Sequence, residues 1–256
     1  MTLVYRQCWT TEEYAQVAKL EQTIWQMGAA DAITTHGQHV LTHTGGSVWG
    51  AFETDDRMVG MAVAFAMRER HQVWSHMTGV HPEYQGHGIG YQLKQVQREW
   101  ALAQGYTHMH WTFDPAMRRN AHFNMRMLGA TANLYHANFY GTMSDGINAG
   151  VPSDRLEAVW HLEANVDTRP APENPAEIAT LLSHDADIIN TAIQAMHKIA
   201  IPYDFVALKQ ADNMLALKWR ASMQRVMQDA FKAGYQIVDY VVERDAQQAW
   251  YVIERM

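Results

Sequence analysis

Three glycines, Gly86, Gly88 and Gly90, fall within the stretch Val80 to Tyr91, which reads V-H-P-E-Y-Q-G-H-G-I-G-Y. Glycine lets a backbone turn into conformations other residues avoid and lets it approach a ligand closely. A helix opening just behind such a turn presents unpaired N–H groups with partial positive charge, a setting that suits a phosphate or pyrophosphate. The spacing is neither the G-x-G-x-x-G of a dinucleotide fold nor a P-loop, since Tyr91 and Gln92 follow the last glycine where a P-loop needs Lys and Ser or Thr. A second constellation is His36, His39 and His43, at i, i+3 and i+7. On a helix these would share one face and could offer imidazoles to a metal. Gly37 and the Thr34-Thr35 pair disfavour helix, however, and no carboxylate or cysteine accompanies the trio, so polar loop histidines and no metal are expected.

The elements that must position the glycine loop are legible around it. Ser47 to Phe52, Arg57 to Ala66 and His71 to Val80 read as three successive strands of an antiparallel meander, the third running straight into the loop. Tyr91 to Gln104 is periodic, with Leu93, Val96, Trp100 and Leu102 apolar, and Gly105 stops it before a strand over His108 to Phe113. Strand, helix and strand joined in this way form a parallel pair by the right-handed crossover rule. Upstream, Leu3 to Cys8 reads as a strand and Thr10 or Thr11 as the cap of a helix reaching about Met27. A short helix around His36 to Thr42 is an option beside a loop. Downstream come a helix through Ala121, Phe123, Met127 and Leu128, then strands over Ala132 to Tyr140 and Leu156 to Leu162, with Gly141 to Ser153 as a long loop between them.

Length and composition bound the rest. The chain has 256 residues, of which 48% are hydrophobic, enough to bury a core in one large or two small domains. A net charge of -7 gives no overall basic field for nucleic acid, although a local patch around Arg118 and Arg119 remains open. The single cysteine, Cys8, excludes an intrachain disulfide and a cysteine zinc site. No apolar run approaches the roughly 18 residues of a membrane span, and the N-terminus lacks a signal-peptide pattern, so a cytoplasmic protein with no membrane partner is expected.

Gln85-x-x-Gly88-x-Gly90, preceded by Val80-His81-Pro82-Glu83-Tyr84, closely resembles the acyl-CoA loop of the GNAT superfamily of N-acetyltransferases. The strand and helix order over residues 3 to 162 resembles that fold as well. The resemblance implies an α/β fold with a mixed, mostly antiparallel sheet and a parallel, splayed central pair, and a domain over residues 1–163. It implies acetyl-CoA or another acyl-CoA as co-substrate. The cofactor would be held by Thr78, Gly79, Val80, Gln85, Gly86, His87, Gly88, Ile89, Gly90 and Tyr91, with Asn120 and Asn124 near the pantetheine. Gly79 is expected at a bulge or splay in its strand.

N-acyl transfer needs a neutral amine, a donor for the developing oxyanion and a proton for the departing thiolate. Many members of the family place a tyrosine four residues before the glycine that ends the helix after the splayed strand. Here that count from Gly129 lands on Met125. Tyr135, Tyr140 and Ser75 are the alternatives for the acid, with Tyr135 preferred. Glu69, His76, His110 and Asp114 are candidates for the base. His76 shares a face with Thr78 and Val80 if no bulge intervenes. Asp114, Asn120 and Asn124 could orient the acceptor, and Asn120 could equally be a helix N-cap.

Asp167 to Pro175, with three prolines, reads as a linker to a second region, residues 164–256. There, helices are expected over Pro175 to Leu182, Ala186 to Ala195 and Ala211 to Lys232. Strands are expected over Lys198 to Ile201, Ile237 to Val242 and Trp250 to Ile253. Ile201-Pro202-Tyr203, Leu217-Lys218 and Ala233-Gly234-Tyr235 echo Val80-His81-Pro82, Leu93-Lys94 and Gln104-Gly105-Tyr106 in the same order, without the loop glycines. This tail is a degenerate GNAT-like half or a plain α/β extension; neither would bind CoA. Two functions follow. The first is an N-acetyltransferase acting by direct attack of a small-molecule primary amine; the second is a catalytically silent acyl-CoA-binding or regulatory module. The acceptor and the oligomeric state, a homodimer among the options, stay open.

Overall fold

A computed structural model describes residues 2–141, 150–164, 177–192 and 194–256. The expected linker at Asp167 to Pro175 lies outside the described residues, as does most of the loop expected between Gly141 and Ser153. By packing, the chain separates into two compact units. One is Met1–Trp111 with His161–Glu163, and the other is Thr112–Trp160 with Ala164–Met256.

The first unit is a sheet with helices on both faces. Strands β1 (Val4–Gln7), β2 (Ser47–Phe52), β3 (Met58–Ala66) and β4 (Gln72–Val80) pair antiparallel in chain order, and β5 (His108–Phe113) joins β4 in parallel. Strand β3 is apolar on both sides, as a strand covered on two faces must be. On one face Tyr14, Val17 and Leu20 of helix α1 (Thr11–Trp25) and Leu41 of α2 (Thr35–His43) pack over Val48, Phe52, Met61 and Val63. On the other, Ile89 and Leu93 of α3 (Ile89–Ala103) cover Ala51, Val59 and Ala62. Helix α1 opens with a reciprocal capping box, Thr10 and Glu13 each bonding the other's backbone. Helix α2 forms despite Gly37, because Thr34 caps it at the Gly37 N–H and Gln38 anchors it to the Tyr14 and Ile33 carbonyls.

The second unit holds α4 (Arg118–Ala121), which continues into a π-helical turn over His122–Met127, and strands β6 (Thr131–His136) and β7 (Arg155–His161). Its remaining elements are β8 (Thr180–Leu182), β9 (Met196–Ile201), α5 (Phe205–Ala211), α6 (Asn213–Lys232), β10 (Tyr235–Glu243) and β11 (Gln248–Arg255). The strand order is β7-β6-β10-β11-β9-β8, antiparallel except for the β9–β8 pair. Ile237 of β10 pairs with Ala132 of β6, so the tail extends the sheet of the preceding strands, and packing groups β6 with residues beyond 163.

Two expectations for the tail are corrected. Pro175 to Leu182 ends as strand β8, and no helix forms over the described part of Ala186 to Ala195. There the chain turns on Ser183, whose hydroxyl accepts from the Asp185 and Asp187 N–H groups. The segment after β9 lacks the loop glycines, as its sequence shows. Asp204 caps α5 through the Ala207 N–H, which fills the place a ligand anion would take.

Candidate functional site

The end of β4 carries an irregularity that sets the local chemistry. Val63 of β3 faces Met77 while Ala64 faces Ser75, so His76 is an extra residue, a β-bulge. Gly79 keeps regular register opposite Met61, and the bulge is therefore not where the sequence places it. Gly79 is small for another reason: a Cβ there would stand 2.7 Å from Ile24 Cδ1 and 3.0 Å from the Trp25 ring. The bulge also changes which side chains share a face. Ser75, Thr78 and Val80 lie on the α3 side, whereas His76 meets the Phe65 ring edge-on at 5.3 Å and Met77 packs against the α1 side. His76 is thus not on the face of Thr78 and Val80. Protein atoms crowding its ring push its pKa down, although more than a third of the side chain stays open to solvent.

Pairing between β4 and β5 covers Gln72–Trp74 against His108–His110, and none is described beyond it, while β4 runs on to Val80. The β5-side edge of the outer half of β4 is available to an extended ligand. The Thr78 hydroxyl is buried, with no hydrogen-bond partner among the described residues. Past Val80, His81 bonds back to the Val59 carbonyl, and Pro82–Tyr84 forms one 3-10 turn that Gln85 ties to the Val80 carbonyl at 3.3 Å. Gly86 and Gly88 then adopt φ of 81° and 77°, and a Cβ at either would meet nothing within 4 Å. Gly88 begins α3 with no side-chain cap, so the first N–H groups of Ile89, Gly90 and Tyr91 face outward. Ile89 is buried against the sheet, Tyr91 is half-buried and His87 is exposed, its Nδ1 3.3 Å from the Tyr84 carbonyl. An open, left-handed glycine pair before an uncapped 15-residue helix fits the pyrophosphate of an acyl-CoA, and the free β4 edge fits its pantetheine.

Behind the bulge lies a feature the sequence reading missed. Lys94 is fully buried in α3; its ammonium donates to Ser75 Oγ at 2.7 Å and stands 3.9 Å from the Trp111 ring centroid. Ser75 in turn donates to Gln97 Oε1 at 2.7 Å. Burial lowers the Lys94 pKa to about 7. The signal was present: the buried stripe of α3 is Ile89, Leu93, Lys94, Gln97 and Ala101, not the row through Val96, Trp100 and Leu102.

The other expected residues sit in the second unit. Asp114 is buried and bonded to the Arg220 guanidinium through both oxygens, 2.6 Å at Oδ1. It also accepts from the Ala116 N–H and lies 3.8 Å from Arg155. Tyr135 is buried, its hydroxyl donating to Asp154 at 2.6 Å; burial and that carboxylate push its pKa far up. Tyr140 is exposed, with its hydroxyl 3.2 Å from Thr112 Oγ1. Asn120 is exposed inside α4 rather than capping it, since the helix starts at Arg118, and Asn124 is buried in the π turn beside fully buried Met125. His36, His39 and His43 are exposed on α2, and among the described residues no group of three metal-ligating side chains converges.

Residues 6–130 match the family model described as Acetyltransferase (GNAT) family. Among proteins with curated descriptions none matches the sequence. Solved structures with the same fold include the ribosomal-protein-S18-alanine N-acetyltransferase of Escherichia coli, 12% identical over 66% of this chain and 100% of that one, with a TM-score of 0.51. An N-acetyltransferase from Staphylococcus aureus Mu50 is 13% identical over 64% and 100%, with a TM-score of 0.51. An acetyltransferase of the GNAT family from Desulfovibrio desulfuricans is 17% identical over 63% and 99%, with a TM-score of 0.50. The strand that ends in an open glycine loop, the uncapped helix behind it and the match over residues 6–130 agree: this part of the chain belongs to the GNAT acetyltransferase family.

Proposed function

We propose that the protein transfers an acetyl group from acetyl-CoA to a primary amine of a small molecule by direct attack. The observation that carries this reading is the open glycine pair, Gly86 and Gly88, in front of uncapped α3. Ile89, Gly90 and Tyr91 would hold the diphosphate through their N–H groups. Thr78, Gly79 and Val80 would line the pantetheine with the free edge of β4. Acetyl-CoA supplies the activated acyl group; the chain aligns it and manages protons.

For the base we propose His76. Its lowered pKa keeps the imidazole neutral near pH 7, the form that accepts a proton from an ammonium through a water. The acid is harder to assign. Asp114 has its oxygens engaged by Arg220 and the Ala116 N–H, and an orienting role for it would act through that pair. Tyr135 is an acid only if it can release a proton beside Asp154, which would set two negative charges together. Tyr135→Phe decides this: lower turnover at unchanged melting temperature supports the acid role, and unchanged turnover with lower stability assigns Tyr135 to the buried cluster.

That engagement of Asp114 and Tyr135 favours a second reading, an acyl-CoA-binding module without turnover. Calorimetric titration with acetyl-CoA, followed by a thiol-release screen over amines and amino acids, separates the two. Binding with release supports the enzyme; binding with no release for any acceptor supports the module; absence of binding contradicts both. We further propose that residues 1–163 form the acyltransferase domain, and that the protein works without nucleic acid or membrane partners. No helix among the described residues is long and apolar enough to cross a membrane.

A further inference from the structure

The second unit gathers cations on one patch that neither the proposed transfer reaction nor the glycine loop uses. Arg118, His122 and Arg126 follow one another at four-residue intervals through α4 and the π turn, and all three face the tail. Arg118 lies 4.1 Å over the Tyr203 ring and donates from Nε to the Tyr203 carbonyl at 2.9 Å. His122 meets the Tyr240 ring edge-on at 5.8 Å. Arg126 pairs with Asp239 at 2.8 Å, next to Tyr240 in β10. Arg244, one residue past the end of β10, completes the group: burial, then Arg244, Arg126 and Arg118, together push the His122 pKa down.

The charge is not balanced. Asp239 answers Arg126, but among the described residues neither Arg118 nor Arg244 has a carboxylate within 4.0 Å. Asp204, beside Tyr203, is held as the cap of α5. Like charges gathered in this way repel, in a chain whose net charge is -7 and whose surface has acids to spare. A second observation points to a missing partner. Tyr240 is 3% exposed, and its hydroxyl makes no hydrogen bond of normal geometry among the described residues. The groups that face it are Arg118, Tyr203 and Arg244; a polar contact from Arg118, outside normal hydrogen-bond geometry, and the charges of Arg118 and Arg244 offset part of the upward shift that burial gives it. Arg118 can only donate to that oxygen, so the hydroxyl proton is left without an acceptor, which is costly, and a ligand oxygen beside Arg118 would supply one.

We propose that Arg118, Arg244, His122 and the Tyr240 hydroxyl form a binding site for a phosphoryl group of a small molecule other than CoA. Two uncompensated guanidiniums match the two charges of a phosphate monoester, and their planar forks suit its oxygens. A carboxylate offers half that charge. The π turn holds His122 and Arg126 toward β10, as such turns often do where side chains converge on a ligand.

The site is independent of the acyl-CoA reading, and its test keeps them apart. Inorganic phosphate is titrated into the full chain with the glycine loop filled by saturating CoA, or without CoA should CoA not bind. Acetate at the same ionic strength is the comparison, and binding is followed through the His122 ring resonances and by calorimetry. Phosphate is expected to saturate a single site, acetate to leave the ring resonances in place, and Arg118→Gln with Arg244→Gln to weaken phosphate by at least about tenfold. Arg244→Gln alone, a change at an exposed residue, should weaken it in the same direction with an unchanged melting temperature. Equal affinity in the double variant overturns the proposal, as does equal binding of acetate. A matching loss of CoA affinity in phosphate-free buffer overturns it too, because the cluster would then belong to the cofactor.

Discussion

Lys94 shows what one residue can cost and offer. Its folded pKa, about 7, lies below the 10.5 of an exposed lysine, so between those values the unfolded chain binds more protons than the folded one. Stability therefore rises with pH from about 7 to about 10.5 and is lost as pH falls through 7. Lys94→Met should fit the apolar stripe, raise the melting temperature at pH 6 and flatten that pH dependence. A variant that melts lower at pH 6 would show that the bond to Ser75 and the Trp111 contact outweigh desolvation. His76 acts on activity with the same sign. Because its pKa is lowered, the neutral form should persist below pH 6.5, and turnover should fall only under that value. His76→Asn should remove this acidic limb and lower kcat by about a hundredfold, with CoA affinity intact; a profile identical to the wild type moves the base elsewhere.

At the scale of the element, β4 shows where sequence reading stops. The loop after it was legible because glycine at Gly86 and Gly88 answers a local demand, a left-handed backbone before a helix. The bulge at His76 was not, because register is set by the partner strand and leaves no mark in the alternation of Gln72 to Val80. Gly79 was expected at the bulge, yet it keeps regular register and is small because Ile24 and Trp25 press on it. Gly79→Ala should therefore destabilise the first unit by about 1 to 3 kcal/mol through overpacking, less if the Ile24 end turns aside, as chemical denaturation would measure. A neutral result would mean that the end of α1 is not seated on β4. Helix α4 has the same lesson. Its periodicity was readable, but the widening into a π turn, which brings His122 and Arg126 to β10, was not.

For the whole molecule, long-range polar pairing is what the sequence hid. Asp114 and Arg220 stand 106 residues apart, and nothing local in either segment announces a buried ion pair. The order of strands through β7 was readable from hydrophobic runs and turns. The tail's β8, and the Ser183 turn where a helix was expected, were not, because short apolar runs do not separate strand from helix. Asp114→Asn should leave Arg220 buried without its counter-charge, and should cost about 3 to 5 kcal/mol in a denaturant melt. A loss under 1 kcal/mol would show that water reaches the pair.

The central claim is that the loop over Gly86 and Gly88 receives the diphosphate of an acyl-CoA. Calorimetric titration of acetyl-CoA into the wild type and into Gly88→Glu tests it most directly. A Cβ at Gly88 meets open space, so the added side chain disturbs no packing, although the left-handed backbone will lower the melting temperature slightly. The account predicts saturable one-to-one binding to the wild type and none detectable to the folded variant, where a carboxylate would occupy the diphosphate's place. Equal affinity in the two proteins would contradict it.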